Sequence, residues 1–226
     1  MARKTKEDAL ETRNRLLEAA EKVFYDKGFA ATSLMDVAKA ADLSRGAVYW
    51  HFKNKSDLLD AMADRVRLPF ESLSDMASLE DDANPLEALR LFSVQILRES
   101  VRNPRRRRVL SILFHRCELS EETRHQESRR QTACIEYVNH FDAWLQRAVK
   151  ANQLPSDLDT RQAAVAKWAL ITGLLSNWLF LPGSYDLESL AEPMIDSYFC
   201  MLQHSPALRS GSRQNQAAMV PGEDDS

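Results

Sequence analysis

An all-α fold is the prediction, and three observations carry it. Apolar residues recur at three- and four-residue spacing through most of the chain. Helix-capping signals punctuate those runs. Glycine is scarce, six in 226 residues. That is too few for a turn-rich all-β fold, or for the glycine-rich loops of Rossmann and P-loop enzymes. The apolar share of 44% and charged share of 28% are those of a soluble globular chain. The length allows one large domain or two modest ones, with a core that needs no disulfide or metal staple.

The elements follow in order. Thr5 to Asp8 has the capping-box form and is expected to open a helix with Leu16, Ala20, Val23 and Phe24 on one face. Lys27-Gly28 should stop it. Ser33 to Asp36 repeats the capping signal, and Leu34, Val37, Ala38 and Ala41 form a short apolar face. Asp42-Leu43-Ser44 is a break. Ser44 is placed to cap a third helix carrying Ala47, Val48 and Phe52, and Asn54 to Asp57 caps a fourth with Leu58, Leu59, Met62 and Val66. Asn84-Pro85 and Asn103-Pro104 put proline at the first helical position, where its missing N–H is harmless. Residues 72–84 read as a frayed helix end and connector. Ser120-Glu-Glu and Asp159 to Gln162 mark two further starts. The last helix shows a wide apolar stripe from Leu187 to Leu202, including Ile195 and Phe199. Beyond Ser205 periodicity is lost, and 206–226 reads as a disordered tail.

Ala163 to Leu181 holds 19 residues and one charge, Lys167. A bilayer span needs about 20 apolar residues. Lys167, Thr172, Ser176 and Asn177 favour instead a helix buried in a core or a subunit interface. Three cysteines (Cys117, Cys134 and Cys200), none in a CxxC pair, fit a reducing cytoplasm better than a disulfide framework. The N-terminus carries no signal-peptide core.

Charge is uneven. Residues 1–55 hold 11 Lys/Arg against 8 Asp/Glu, a net of +3, while the other 171 hold 19 against 25, a net of −6. A basic end on an acidic body suits a polyanion partner. The short helix pair over 33–52 has the form of a helix-turn-helix, whose second helix enters the DNA major groove. Its exposed positions would be Ser44, Arg45, Gly46, Tyr49, Trp50 and His51. Arg45 can make a two-pronged bond to guanine. Tyr49 and His51 can donate to phosphates, Trp50 can pack on sugar or phosphate edges, and Gly46 leaves room for close approach. Lys53 and Lys55 follow at a helix start, where a phosphate also meets a positive dipole end. A packed helical corner with core aromatics would give the same pattern.

Thr32 to Ala38, and above all VYWHFKNKSDLL at 48–59, closely resemble the DNA-binding domain of the TetR family of transcriptional repressors. The start of the chain, Gln153-Leu-Pro, Ala164-Val-Ala, Trp178 to Pro182 and Met201 to Arg209 extend the resemblance over nearly all of 1–209. They point to the multidrug-efflux repressors of the AcrR/TtgR type. The resemblance implies a three-helix helix-turn-helix domain at 1–55 and a larger helical ligand-binding and dimerisation domain at 56–205. It implies groove reading by Arg45, Gly46, Tyr49 and His51, and phosphate contacts from Lys55, Thr32 and Ser33. Helices near 159–181 and 187–203 would form a four-helix interface in a homodimer, with Ile195 and Phe199 in it. A hydrophobic or aromatic inducer would bind in the larger domain and release near-palindromic operator DNA. Its implied lining is Phe70, Phe92, Ile96, Leu110, Phe114, Cys134, Val138, Phe141, Trp168, Ile171 and Thr172. Two positions depart from expectation. Asp42 stands where glycine is frequent, though aspartate tolerates a left-handed backbone. Pro193 lies inside the last helix and should shift its start or kink it.

Other chemistry is thinly signalled. The five histidines make no HExxH motif and no i, i+4 pair, and no GxSxG or Walker sequence appears. No cofactor, metal, membrane contact or enzymatic activity is expected. Arg102 and Arg105 to Arg108 read as a solvated helix end. Two functions stay open on these residues: a ligand-responsive DNA-binding repressor, or a helical adaptor whose helix pair contacts protein.

Overall fold

The computed structural model describes residues 2–66, 84–118 and 120–210. Among them lie nine α-helices: α1 (Ala2–Lys27), α2 (Leu34–Ala40), α3 (Arg45–His51), α4 (Lys55–Asp64), α5 (Pro85–Arg102), α6 (Pro104–His115), α7 (Arg124–Lys150), α8 (Thr160–Phe180) and α9 (Leu187–His204). No strand occurs among the described residues; an isolated bridge pairs Leu158 with Arg209. The connector expected at 72–84 lies outside the described residues except for Asn84.

The helices divide between two compact units. The first contains α1 to α4, α5 from Glu99, α6, α7 to Ala133 and α8 from Leu175. Leu16, Leu17, Phe24, Phe29, Val37, Val48, Phe52, Leu58, Leu59 and Met62 are buried in it. The second contains α5 to Arg98, α7 from Cys134, α8 to Leu174, and α9. Leu89, Tyr137, Phe141, Leu145, Ile171, Ile195, Tyr198 and Leu202 are buried there.

Most starts and stops fall where capping chemistry puts them. Asn54 accepts from the Asp57 amide at 2.8 Å and Asn103 from the Arg106 amide at 3.0 Å. Asp159 accepts from the Gln162 amide at 2.9 Å. Gly28 ends α1 with φ +85°, its amide on the Phe24 carbonyl at 3.0 Å. Helix α1 starts earlier than its sequence signal, at Ala2, so Thr5 to Asp8 lies inside it. Pro193 neither shifts nor ends α9: the helix runs unbroken from Leu187 to His204 with the proline on its exposed side.

Two expectations are corrected. Residues 206–210 are folded: Pro206–Leu208 form a 3-10 turn, and Leu208 is buried. The Asp159 amide donates to the Leu208 carbonyl at 2.8 Å, and the Ser210 amide to that of Asp157 at 2.7 Å. The single hydrophobe Leu208 and these backbone bonds anchor a segment too short to show periodicity; 211–226 lies outside the described residues. The arginine run is only in part a solvated end: Arg102 and Arg107 are exposed, while the others find partners. Arg105 and Arg108 meet the buried carboxylate of Glu21 on α1 at 3.1 and 3.5 Å, and Arg65 joins them at 3.5 Å. Arg107 lies over the Trp178 ring at 5.4 Å. Burial lowers the Arg106 pKa. Glu21→Ala removes a buried carboxylate that three partly exposed arginines share, and should cost about 1–3 kcal/mol. Urea unfolding would measure it.

Candidate nucleic-acid interface

Helices α2 and α3 form a capped pair joined by a tight turn. The Ser33 Oγ accepts from the Asp36 amide at 3.2 Å, and the Asp36 carboxylate accepts from the Ser33 amide at 2.9 Å, a closed capping box. Lys27 reaches the same carboxylate at 2.7 Å. The Lys27 ammonium, then the Ser33 donors, hold the Asp36 carboxyl well below the usual carboxylate range. Its help to the cap is therefore present above the ordinary carboxylate pKa and lost only as pH falls through that depressed value.

The turn has Asp42 at φ +52°, the left-handed geometry that its short polar side chain tolerates. The Leu43 amide then reaches the Ala38 carbonyl at 3.0 Å. Ser44 caps α3 by accepting from the Ala47 amide at 3.2 Å. Val48 is fully buried. A helix of two turns anchored on that residue must present its other side, and Arg45, Gly46, Tyr49 and Trp50 are all exposed.

These exposed groups carry the chemistry. The Arg45 guanidinium lies 5.3 Å from the Tyr49 ring centroid, which pre-orients it along the helix face. Trp50 is 72% exposed, unusual for so large an apolar ring. His51 packs edge-on against it at 4.4 Å and is half-buried. Burial, then the charge of Arg13, lowers the His51 pKa. A Cβ at Gly46 would meet only the Ser44 Oγ at 3.8 Å, an ordinary contact. Nothing inside the chain requires glycine there.

Below this face a recess is lined by Thr32, Ser33, Leu34, Tyr49, Lys53, Asn54, Lys55, Ser56 and Glu121. It gathers two capped helix starts and two lysines, a setting that favours an anion; its one carboxylate, Glu121, pairs with Arg124 at 2.5 Å. The sequence-predicted residues fill different roles within it. Thr32 is buried; its hydroxyl donates to the Gly28 carbonyl at 2.7 Å and its amide to that of Phe29 at 3.2 Å. It builds the α1–α2 turn. The Lys55 ammonium reaches the Phe29 carbonyl at 3.3 Å and sits 4.7 Å from that ring's centroid. It staples the turn. A second recess joins Trp50 and His51 to Lys6, Leu10 and Arg13 of α1. The α1 periodicity gave no sign of this, since it marks the buried face and says nothing of what the opposite face meets.

The implied ligand set is only partly gathered. Ile96, Val138, Phe141 and Ile171 are buried in the second unit, with Phe92, Cys134, Trp168 and Thr172 half-buried there. The Thr172 hydroxyl donates to the Trp168 carbonyl at 2.8 Å. Leu110 and Phe114 belong to the first unit, and Phe70 lies outside the described residues.

Comparison with known proteins agrees with this interface. Residues 16–62 match the family model described as bacterial regulatory proteins, tetR family, and 84–204 match the C-terminal region of MAATS-type transcriptional repressors. The chain is 41% identical over 209 residues to the HTH-type transcriptional regulator TtgR of Pseudomonas putida, covering 92% of this chain and 100% of that one. Among solved structures it resembles NalD, the secondary repressor of the MexAB-OprM multidrug efflux pump in Pseudomonas aeruginosa. There the TM-score is 0.78 and the identity 34%, over 88% of this chain and 99% of NalD. It also resembles SmeT of Stenotrophomonas maltophilia in complex with triclosan, with TM-score 0.74 and 29% identity over 96% of this chain and 100% of SmeT.

Proposed function

The chain belongs to the TetR family of transcriptional regulators, and from that premise we propose that it represses a multidrug efflux operon and is released by a hydrophobic compound. The observation that carries the DNA half is the α3 face, where Arg45, Tyr49 and Trp50 are exposed on a helix that Val48 anchors. Ser44, Arg45, Gly46, Tyr49, Trp50 and His51 meet the groove, while Ser33, Lys53 and Lys55 meet phosphate. The efflux half rests on the relatives, since NalD represses a multidrug pump and SmeT was solved with triclosan. Such a repressor works in the cytoplasm, where operator DNA lies; the three free cysteines suit that compartment.

The repressor acts as a homodimer through α8 and α9. Ile195 and Phe199, expected at that interface from the apolar stripe, are only 0% and 8% exposed in the single chain. They pack the chain's own core. The large apolar side chains left open are Leu190 and Met201 on α9 and Val165 and Phe180 on α8, 37%, 36%, 50% and 73% exposed. Helix α8 is also long and apolar enough to cross a membrane, but a partner subunit accounts for its open side.

Lys55→Ala should lower the melting temperature by releasing the α1–α2 turn. It should also weaken every DNA sequence alike, reducing the salt slope of binding by about 1. Thermal melts and salt titrations separate those two effects.

Ligand weakens DNA binding only by preferring the conformation that cannot span both half-sites. A hundredfold release requires about 2.7 kcal/mol of coupling, within the usual range. A reporter fused to the neighbouring operon tests the reading in cells. Expression should rise when this gene is deleted, and rise with triclosan only when the gene is present. Unchanged expression on deletion would refute repression of that operon.

A further inference from the structure

Lys167 is fully buried on α8, at 0% exposure. Its Nζ has no hydrogen-bond partner among the described residues. Its nearest neighbours of note are rings: the Tyr198 centroid at 5.4 Å and that of Phe141 at 5.9 Å. Those distances sit at the outer limit of cation–π attraction, about 6 Å, and a ring face cannot replace the hydration of an ammonium. The Tyr198 hydroxyl donates to the Ala163 carbonyl at 2.8 Å and makes no hydrogen bond with Nζ. A methionine would fill the same length of core without an orphaned polar group. The sequence therefore places a long cation where packing alone asks for an apolar chain.

We infer that Lys167 is an anchor for an acidic headgroup, so that the second unit takes a lipophilic weak acid: an aromatic carboxylic acid or an acidic phenol. This rests on the reading that the second unit binds a hydrophobic ligand. Without ligand, burial holds the Lys167 pKa well below the ordinary lysine range, which favours the uncharged amine. An acid supplies the missing partner. Its O–H proton passes to Nζ, and the ammonium pairs with the resulting oxyanion in dry surroundings. An acid already ionised in water brings its anion, and Nζ takes one proton from solvent. Either way charge is balanced inside the core. A neutral ester, ether or amide leaves Nζ without its ion partner, and an amine adds a second base.

The surroundings suit the rest of such a molecule. Tyr137 stacks on Phe141 at 5.9 Å with an interplanar angle of 10°, and the Trp168 ring is 5.3 Å from Tyr137. Aromatic faces of this kind pack well on a flat aryl body. The titratable groups near this cluster are Tyr137 on α7 and Tyr198 on α9. Burial raises both pKa values, so neither competes as an anion for Lys167.

Calorimetry on the full chain tests this with 2-naphthoic acid and its methyl ester, near neutral pH, in two buffers of different ionisation enthalpy. The acid should bind roughly tenfold or more tightly than the ester, as a charge-assisted bond in a dry site allows. It should take up as much as one proton per molecule bound, since the buried amine gains its charge only with the acid beside it. Lys167→Met should keep the ester's affinity, lose both the acid preference and the proton uptake, and melt at a higher temperature. If that variant does not fold, the wild-type preference and proton count still decide. An ester that binds as well as the acid, acid binding without proton uptake, or a Lys167→Met variant that keeps the preference would each overturn the assignment. Triclosan and its methyl ether serve as the phenol pair. Neutral compounds that release operator DNA as well as their acid counterparts would sink the Lys167 proposal alone. If no hydrophobic compound binds the wild type, the ligand reading falls with it.

Discussion

Replacing Met201 by glutamate should give a folded monomer that no longer holds operator DNA. Met201 is partly exposed on α9, and surface substitutions of this kind usually change stability by less than about 0.5 kcal/mol. In the dimer the same position would bury a charge opposite its own symmetry mate, which a two-fold interface does not tolerate. The loss for DNA is large because the second half-site is bound almost intramolecularly. Separating the two reading heads forfeits that gain, about 10²–10⁴ in affinity. Leu190→Glu should do the same. Ile195→Glu is expected to behave differently: it puts an unpaired charge into the chain's own core and should unfold the protein. Sedimentation with circular dichroism distinguishes these outcomes. A Met201→Glu variant that stays dimeric would mean the subunits meet elsewhere.

Arg45→Ala should bring the second large loss. A bidentate contact to a base is worth about 1–3 kcal/mol of discrimination. A near-palindromic operator presents it twice, so the dimer should lose roughly 2–6 kcal/mol. Specificity should relax at the two symmetry-related base pairs and nowhere else. Lys55→Ala, by contrast, should leave base preference intact. Binding to an operator library, wild type against variant, reads both effects. If Arg45→Ala binds with unchanged affinity and preference, α3 is not the reading helix.

How far these features could be read in advance depended on what each residue's partner is. Ser33, Ser44, Asn54 and Asn103 bond backbone three residues on, so sequence spacing contains the whole interaction. The same holds for Asp42 in its turn. The helix-turn-helix face was legible for that reason, because caps and one buried valine fix which side of α3 is open. Arg105 and Arg108 were misread because their partner Glu21 is more than eighty residues away. A charge run has no local sign of a distant carboxylate. Ile195 and Phe199 failed in another way. A wide apolar stripe on α9 shows that the helix is covered on two sides, but not which residues face the chain's own core and which a second subunit. Lys167 was visible as the lone charge in an apolar stretch. Only the folded chain shows that its amine is buried among rings with no hydrogen-bond partner among the described residues.

Binding of a specific operator through α3, and its release by a hydrophobic compound, can be read on the DNA itself. Footprinting of the DNA upstream of the neighbouring operon, with and without triclosan, tests it most directly. The footprint should be a protected near-palindrome whose half-sites lie about one helical turn or a multiple apart. Protection should weaken steeply as salt rises, as phosphate contacts require, and should vanish when triclosan is added. Uniform protection without a bounded site, or a bounded site that no hydrophobic compound can clear, would contradict it.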